Sequence, residues 1–311
     1  GGILMQLILG YDNLEIGLYL KILFGFQLLD YLLFALLVFV VHIIVNQKYI
    51  SFLIVLVIFT FMAFPAKFGV EHSMLIYGAD PGWWYSDMRG FGPTPVPWMW
   101  FKLYWMAWAL LLAVAARLLW ARGKDNSLKS RFRLAKQRFT TSTIWAVSIS
   151  IGLLISVGAF IFYNTNVLNE YITASDLLDR QAEYERLYGR YKNSPQPQLI
   201  FTKLHIELYP DRQHAEIRGT YTLLNKDTIA IDSIHVGAAW GTEFKMVKFD
   251  RRAVEIPNDN KLNHHIYALG QSLEPGDSLQ VSFAIEYQQQ GFQHSDTKPI
   301  VVENGTYITN F

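Results

Sequence analysis

No cysteine occurs in the 311 residues, so disulfides and thiolate metal sites are excluded. That suits a reducing compartment without ruling out a periplasmic face. Charge is scarce as well: Asp, Glu, Lys and Arg make up 17% of the chain. The net charge of +1 says little about partners because it is spread so unevenly. HExxH, GxSxG, Walker A and GxGxxG are all missing, which leaves zinc-protease, serine-hydrolase, P-loop and dinucleotide chemistry without a signature. No residue has a good claim to be catalytic, and none is assigned to a metal or cofactor. The chain opens Gly-Gly, with no initiator Met and no secretory leader, and stops at Phe311 just after VVENGTYITN. It reads as a fragment of something longer, cut at both ends.

What is present falls into two contrasting parts, as a length of roughly two domains allows. Before about residue 163 long apolar runs dominate; after it, charges, turns and alternating patterns take over. Four apolar segments approach the ~20 residues a helix needs to cross a membrane: about Phe26–Val45, Tyr49–Phe68, Trp98–Leu119 and Ile144–Tyr163. The last, IWAVSISIGLLISVGAFIFY, has no charge and no polar face, which favours lipid over the core of a soluble protein.

Basic residues orient these segments. Between the third and fourth, Arg122, Lys124, Lys129, Arg131, Arg133, Lys136 and Arg138 face one acid, Asp125. The short 46–48 turn carries Lys48, whereas the 69–97 loop sets Arg89 against Glu71, Asp80 and Asp87. The 46–48 and 120–143 loops are therefore expected in the cytoplasm, with residues 164–311 outside it. The 122–138 run lies beside two spans, so anionic lipid explains it better than nucleic acid. In the outer loop YGADPGWWYSDMRGFGPTPVPWMW, residues 77–100, Trp83, Trp84, Tyr85, Trp98 and Trp100 suit an interfacial belt. A carbohydrate or peptide pocket is the sharper alternative. Pro93, Pro95 and Pro97 are expected to delay helix until the third span starts. Lys102 and Arg117, near opposite ends of that span, can snorkel to the two surfaces. Asp30, one turn inside the first span, is either a solvated helix end or a functional intramembrane carboxylate.

Residues 1–25 are too short an apolar stretch to cross and are expected along the outer surface, with the membrane domain at 26–163. A juxtamembrane helix over Leu168–Lys192, continuing out of the fourth span, and the linker Asn193–Gln198 fill 164–195. From 196 to 311 the period becomes two: Leu204, Ile206 and Leu208 alternate with polar residues, and Ala215, Ile217, Tyr221 and Leu223 point inward. Further strands are expected at 230–236, 244–249, 264–269, 278–288 and 299–308, with turns at Asn225-Lys-Asp and Glu274–Asp277. The predicted fold class is α transmembrane helices, about four spans, plus a C-terminal all-β antiparallel sandwich. His264 and His265 are adjacent on a strand and face opposite ways, so a shared metal is not expected. His205, His214 and His235 read as exposed. Asn304-Gly-Thr306 matches a glycosylation acceptor, relevant only in a eukaryotic secretory setting.

Several strings together resemble one architecture: FGFQLLDYLLFALLVFVVHIIVNQKY, LIYGADPGWWYSDMRGFGP, WFKLYWMAWALLLAVAARLLWARG and FIFYNTNVLNEY, then PQPQL, LHIELYPDRQHAEIRGTYTLLN and LEPGDSLQVSFAIEYQQQGF. Over nearly the whole chain they are similar to bacterial fusions of an ABC-exporter-type permease with an aminopeptidase N-type zinc metallopeptidase. That resemblance implies an inner-membrane protein whose periplasmic β domain begins the peptidase. The parent's zinc would be held by HExxH and a downstream Glu beyond Phe311, its substrate would be a peptide, and an ABC ATPase would be a separate subunit. The alternatives are a membrane-anchored binding protein, or a transporter with a periplasmic accessory domain.

Overall fold

The computed structural model describes residues 2–11, 13–120, 128–237, 242–259, 262–294, 301–302 and 305–306. Arg122, Lys124, Asp125 and Asn304 lie outside these, as does part of the expected 299–308 strand. The chain divides into two compact units. One holds the residues up to Trp83, Pro95–Val167 and His294; the other holds Trp84–Thr94, Leu168–Gln293 and the described residues past 300.

The first unit is helical. After α1 (Gly2–Ile8), α2 (Ile16–Leu20) runs through a π-helical stretch at Lys21–Gln27 into α3 (Leu28–Val45). The first long helix thus starts at Ile16 rather than near Phe26. Asn46, in a left-handed conformation (φ 53°), ends it, and Gln47 leads into α4 (Lys48–Ala63). α5 (Pro95–Leu119), α6 (Leu128–Gln137) and α7 (Thr141–Phe162), extended by a π-helical turn to Leu168, follow. Among the described residues three helices are long and apolar enough to cross a membrane: Ile16–Val45, Pro95–Leu119 and Thr141–Leu168. The count of four is not matched, because α4 has 16 residues, about 24 Å of helix against ~30 Å of hydrocarbon. It stops at Ala63 because Phe64 precedes Pro65, which pushes Phe64 out of helical backbone (φ −132°, ψ 48°). Apolar length alone overlooked that break. Conversely, α5 begins at Pro95, three residues earlier than expected, with Pro97 inside its first turn. Proline is tolerated there because first-turn N–H groups have no intrahelical partner.

The second unit carries α8 (Ala174–Tyr188) and the sheets. α8 does not continue α7: residues 169–173 are non-helical, and α8 has its own capping box. Thr173 Oγ1 accepts from the Asp176 N–H at 3.0 Å, and Asp176 accepts from the Thr173 N–H at 2.9 Å. One antiparallel sheet orders β1 (Gln198–Tyr209), β2 (His214–Leu224), β7 (Ser278–Gln288) and β4 (Thr242–Phe249) as β1-β2-β7-β4. The other orders β3 (Ile231–Gly237), β6 (His264–Leu273) and β5 (Ala253–Asp259) as β3-β6-β5. β8 (Val301–Val302) and β9 (Gly305–Thr306) form a small hairpin. Ile231, Ile234 and Leu273 from one sheet pack with Leu279 and Val281 from the other, which is the arrangement of a sandwich. β5 has no counterpart among the expected strands, and its run AVEIPND contains Pro257. The fold accommodates that proline on an edge strand, where the β5–β6 register shifts between Ile256 and Asp259.

β1 departs from its apparent amphipathy. Leu204, Ile206 and Leu208 remain 41–45% exposed. Among the described residues β1 is the outer strand of its sheet and pairs only with β2. Alternation assigns side chains to one face; it does not say that anything covers that face.

Candidate functional site

The helical unit brings together three charges that the sequence scatters over 73 positions (Asp30, Asp80, Lys102). Lys102, in the second turn of α5, is 1% exposed. Its ammonium pairs with the Asp30 carboxylate, pairs with Asp80 at 2.5 Å, and donates to the Gly78 carbonyl at 2.6 Å. All three N–H donors of the ammonium are thereby used. Asp80 also accepts from the Gly82 N–H at 2.7 Å, and the left-handed Gly78 and Gly82 (φ 76° and 85°) let this tight segment form.

Neighbouring bonds fix the same segment. Trp105 Nε1 donates to the Ala79 carbonyl at 2.8 Å, and the Tyr77 hydroxyl donates to the Leu33 carbonyl at 3.2 Å. Burial pushes the Tyr77 phenol up to about 12, so it remains a donor. Leu33, Trp105 and Ala109 form the apolar floor. The snorkelling expected of Lys102 is therefore wrong. Two carboxylates and a carbonyl hold it inside, since an unpaired ammonium removed from water would cost several kcal/mol. Asp30 is neither a bare helix end nor a lone acid; its side chain, 40% exposed, is the most accessible member of the cluster. The missed signal was one acid and one base of opposite charge in otherwise apolar helices: Asp30 lies in the first turn of α3 and Lys102 in the second turn of α5.

The tryptophans of the 77–100 loop pack on other aromatic and basic side chains. Phe26 stacks on Trp83 at 4.8 Å and meets Trp98 edge-on at 4.7 Å, while Trp100 packs on Phe160 at 4.5 Å. Within the second unit, Arg89 lies over Trp84 at 5.0 Å and Tyr85 packs on Phe91. Each of the five expected belt residues is half-buried. At the basic end of the helices, Arg131 is 4% exposed and donates to the Ile43 carbonyl at 2.7 Å, capping the end of α3. Arg138 donates to the Trp120 carbonyl. In the helical unit the half-buried His72 and the buried His294 stack at 5.6 Å. Burial lowers the pKa of both imidazoles, and for His294 a charge on His72 would lower it further.

In the second unit, His235 is half-buried rather than exposed, and His214 is mostly covered, stacked on Tyr209 at 5.3 Å. His205 is exposed. His264 and His265 do find different neighbours. His265 reaches Glu255 at 2.8 Å; His264 Nε2 lies 3.1 Å from His235 Nδ1, and its Nδ1 3.4 Å from the Tyr184 hydroxyl. Tyr188 and Tyr191 pack on these two imidazoles. Burial lowers the His235 pKa. A 3.1 Å nitrogen pair needs one donor and one acceptor, so the contact tolerates no second proton. A cavity of about 370 Å³ lies beside His235, walled by Tyr221, Phe244, Val281 and Phe283. Among the described residues no group of three His, Asp or Glu could hold a metal.

No family model matches the chain, and no curated protein matches it. Among solved structures, it is weakly similar to a two-domain M1 zinc metallopeptidase variant bound to L-arginine, with a TM-score of 0.25 and 14% identity over 30% of this chain. The same variant bound to L-tryptophan matches equally. The chain spans 22% of the length of those proteins. Similarity at that level carries no argument about the fold or activity of this one.

Proposed function

We propose that this chain is the membrane-anchoring portion and non-catalytic β domain of a fusion between an ABC-exporter-type permease and an aminopeptidase N-type zinc peptidase. One observation supports it most: an apolar-faced helical unit is followed, in one chain, by an antiparallel sandwich. Large apolar side chains such as Phe52, Leu53, Val57, Trp108, Trp145 and Ile155 lie exposed on the helices, as lipid-facing positions would. The sequence resemblance supplies the rest. The chain anchors and positions; the parent, in a bacterial inner membrane, hydrolyses peptides in the periplasm with zinc held beyond Phe311, and its permease half works with a separate ABC ATPase.

In this reading α4, together with the Pro65–Phe68 turn, crosses the membrane despite its length. The 46–48 and 120–143 loops are then cytoplasmic, and 164–311 periplasmic. The cysteine-free sequence makes the test clean. Single cysteines at Asp87 and Lys203 should label from outside intact cells, and one at Lys136 only after permeabilisation. Labelling of Asp87→Cys only from inside would show that α4 does not cross. For the enzyme half, an HExxH motif with a distal Glu downstream of Phe311, and zinc-dependent aminopeptidase activity, are expected. A parent without those ligands would leave a membrane-anchored binding or transport-accessory protein, a reading that the His235 cavity favours.

A further inference from the structure

At the basic end of the helical unit, α3, α5 and the residue following α6 enclose a groove of about 610 Å³, lined by Leu36, Phe39, Ala116, Arg117, Trp120 and Arg138 among others. We propose that this groove binds one anionic phospholipid, with Arg117 and Arg138 taking the phosphate and the apolar wall taking an acyl chain. The volume lies in the range of small-molecule sites. Its wall is apolar, closed by Phe39 and Trp120 edge-to-face at 5.4 Å.

Its charge is of one sign. Between Asp30 and Glu71 the sequence contains no acid, and between Asp87 and Glu170 it contains only Asp125. Arg117 projects from an apolar helix and is exposed. Arg138 spends one donor on the Trp120 carbonyl, and a guanidinium has five. Two guanidinium groups at the end of an apolar trough match an amphiphilic anion. Free phosphate would leave the trough unfilled, and a neutral lipid would leave the guanidinium groups without a counter-charge. The site does not depend on the permease–peptidase reading, only on the helices lying in a bilayer.

The test uses the full chain purified in detergent, mixed with phosphatidylglycerol and phosphatidylcholine in equal amounts, with bound lipid counted by native mass spectrometry. One phosphatidylglycerol should be retained in preference. Arg117→Gln should lower its retention about fivefold or more. Arg133→Gln removes an exposed α6 charge outside the groove and should change it less than about twofold. Equal losses in the two variants would mean diffuse attraction and overturn the proposal. So would absence of preference, or displacement of the lipid by inorganic phosphate, which would mark a bare anion site. If Arg117→Gln does not yield folded protein, Trp120→Ala, which keeps both guanidinium groups, must lower retention; unchanged retention overturns the proposal.

Discussion

The two units solve the same problem with opposite economies. In the helical unit the outside is apolar and the most demanding interior feature is polar: Lys102 with Asp30, Asp80 and the Gly78 carbonyl. In the β unit the interior is apolar, from Ile231 to Val281, and among its described residues the most deeply buried polar side chain is an amide. Asn225, 1% exposed, donates to the Leu273 carbonyl at 2.7 Å and to the Ile229 carbonyl at 2.9 Å, and accepts from the Asp227 N–H at 2.9 Å. A unit surrounded by lipid gains little from hiding more apolar surface, so directional polar bonds specify its packing. A unit in water gains most from apolar burial, and polar groups need only be satisfied.

That contrast breaks first at Lys102. Lys102→Met should destabilise the helical unit by about 3–5 kcal/mol, because two carboxylates lose their counter-charge. Thermal unfolding in detergent would read this. Asp80→Asn should cost less, and Asp30→Asn least, since Asp30 is the most exposed of the three. Neutralising all three together should recover part of the loss; no recovery would mean that the cluster does not act as one network.

Asn225→Ala should cost the β unit about 1–3 kcal/mol by leaving buried carbonyls unpaired, read as faster hydrogen exchange in the turn and along β6. Thr173→Ala should cost about 1 kcal/mol by removing the α8 cap, visible as fraying of its first turn with the helical unit unchanged.

The smallest effect concerns pH. Burial holds His235 below its ordinary value of 6.5, so the unfolded chain takes up the proton first as pH falls. Stability is full above 6.5 and drains away as pH drops toward the lowered folded value. His235→Asn should flatten that slope relative to the unsubstituted protein. An unchanged difference between melting temperatures measured above and below 6.5 would show that His235 is not the titrating group.

Much of this architecture could be read along the chain. The change from long apolar runs to period two separates the α-helical part from the antiparallel part. Asn225-Lys-Asp and Glu274–Asp277 mark turns that the structure retains. These are local properties: backbone period and turn chemistry act over a few residues, so sequence order is enough. Where local rules compete, the tertiary structure chose. Pro65 cut α4 short, while Pro257 was accommodated because β5 lies at an edge. The exposure of Leu204 and its neighbours depended on whether a second sheet reached β1, which alternation does not encode. The candidate sites lay further out of reach. Asp30, Asp80 and Lys102, or His235 and His264, are ordinary residues in sequence. They become a buried ion cluster and a proton-limited pair only because distant segments meet where water is excluded, and the strength of a charge interaction depends on that exclusion rather than on spacing along the chain.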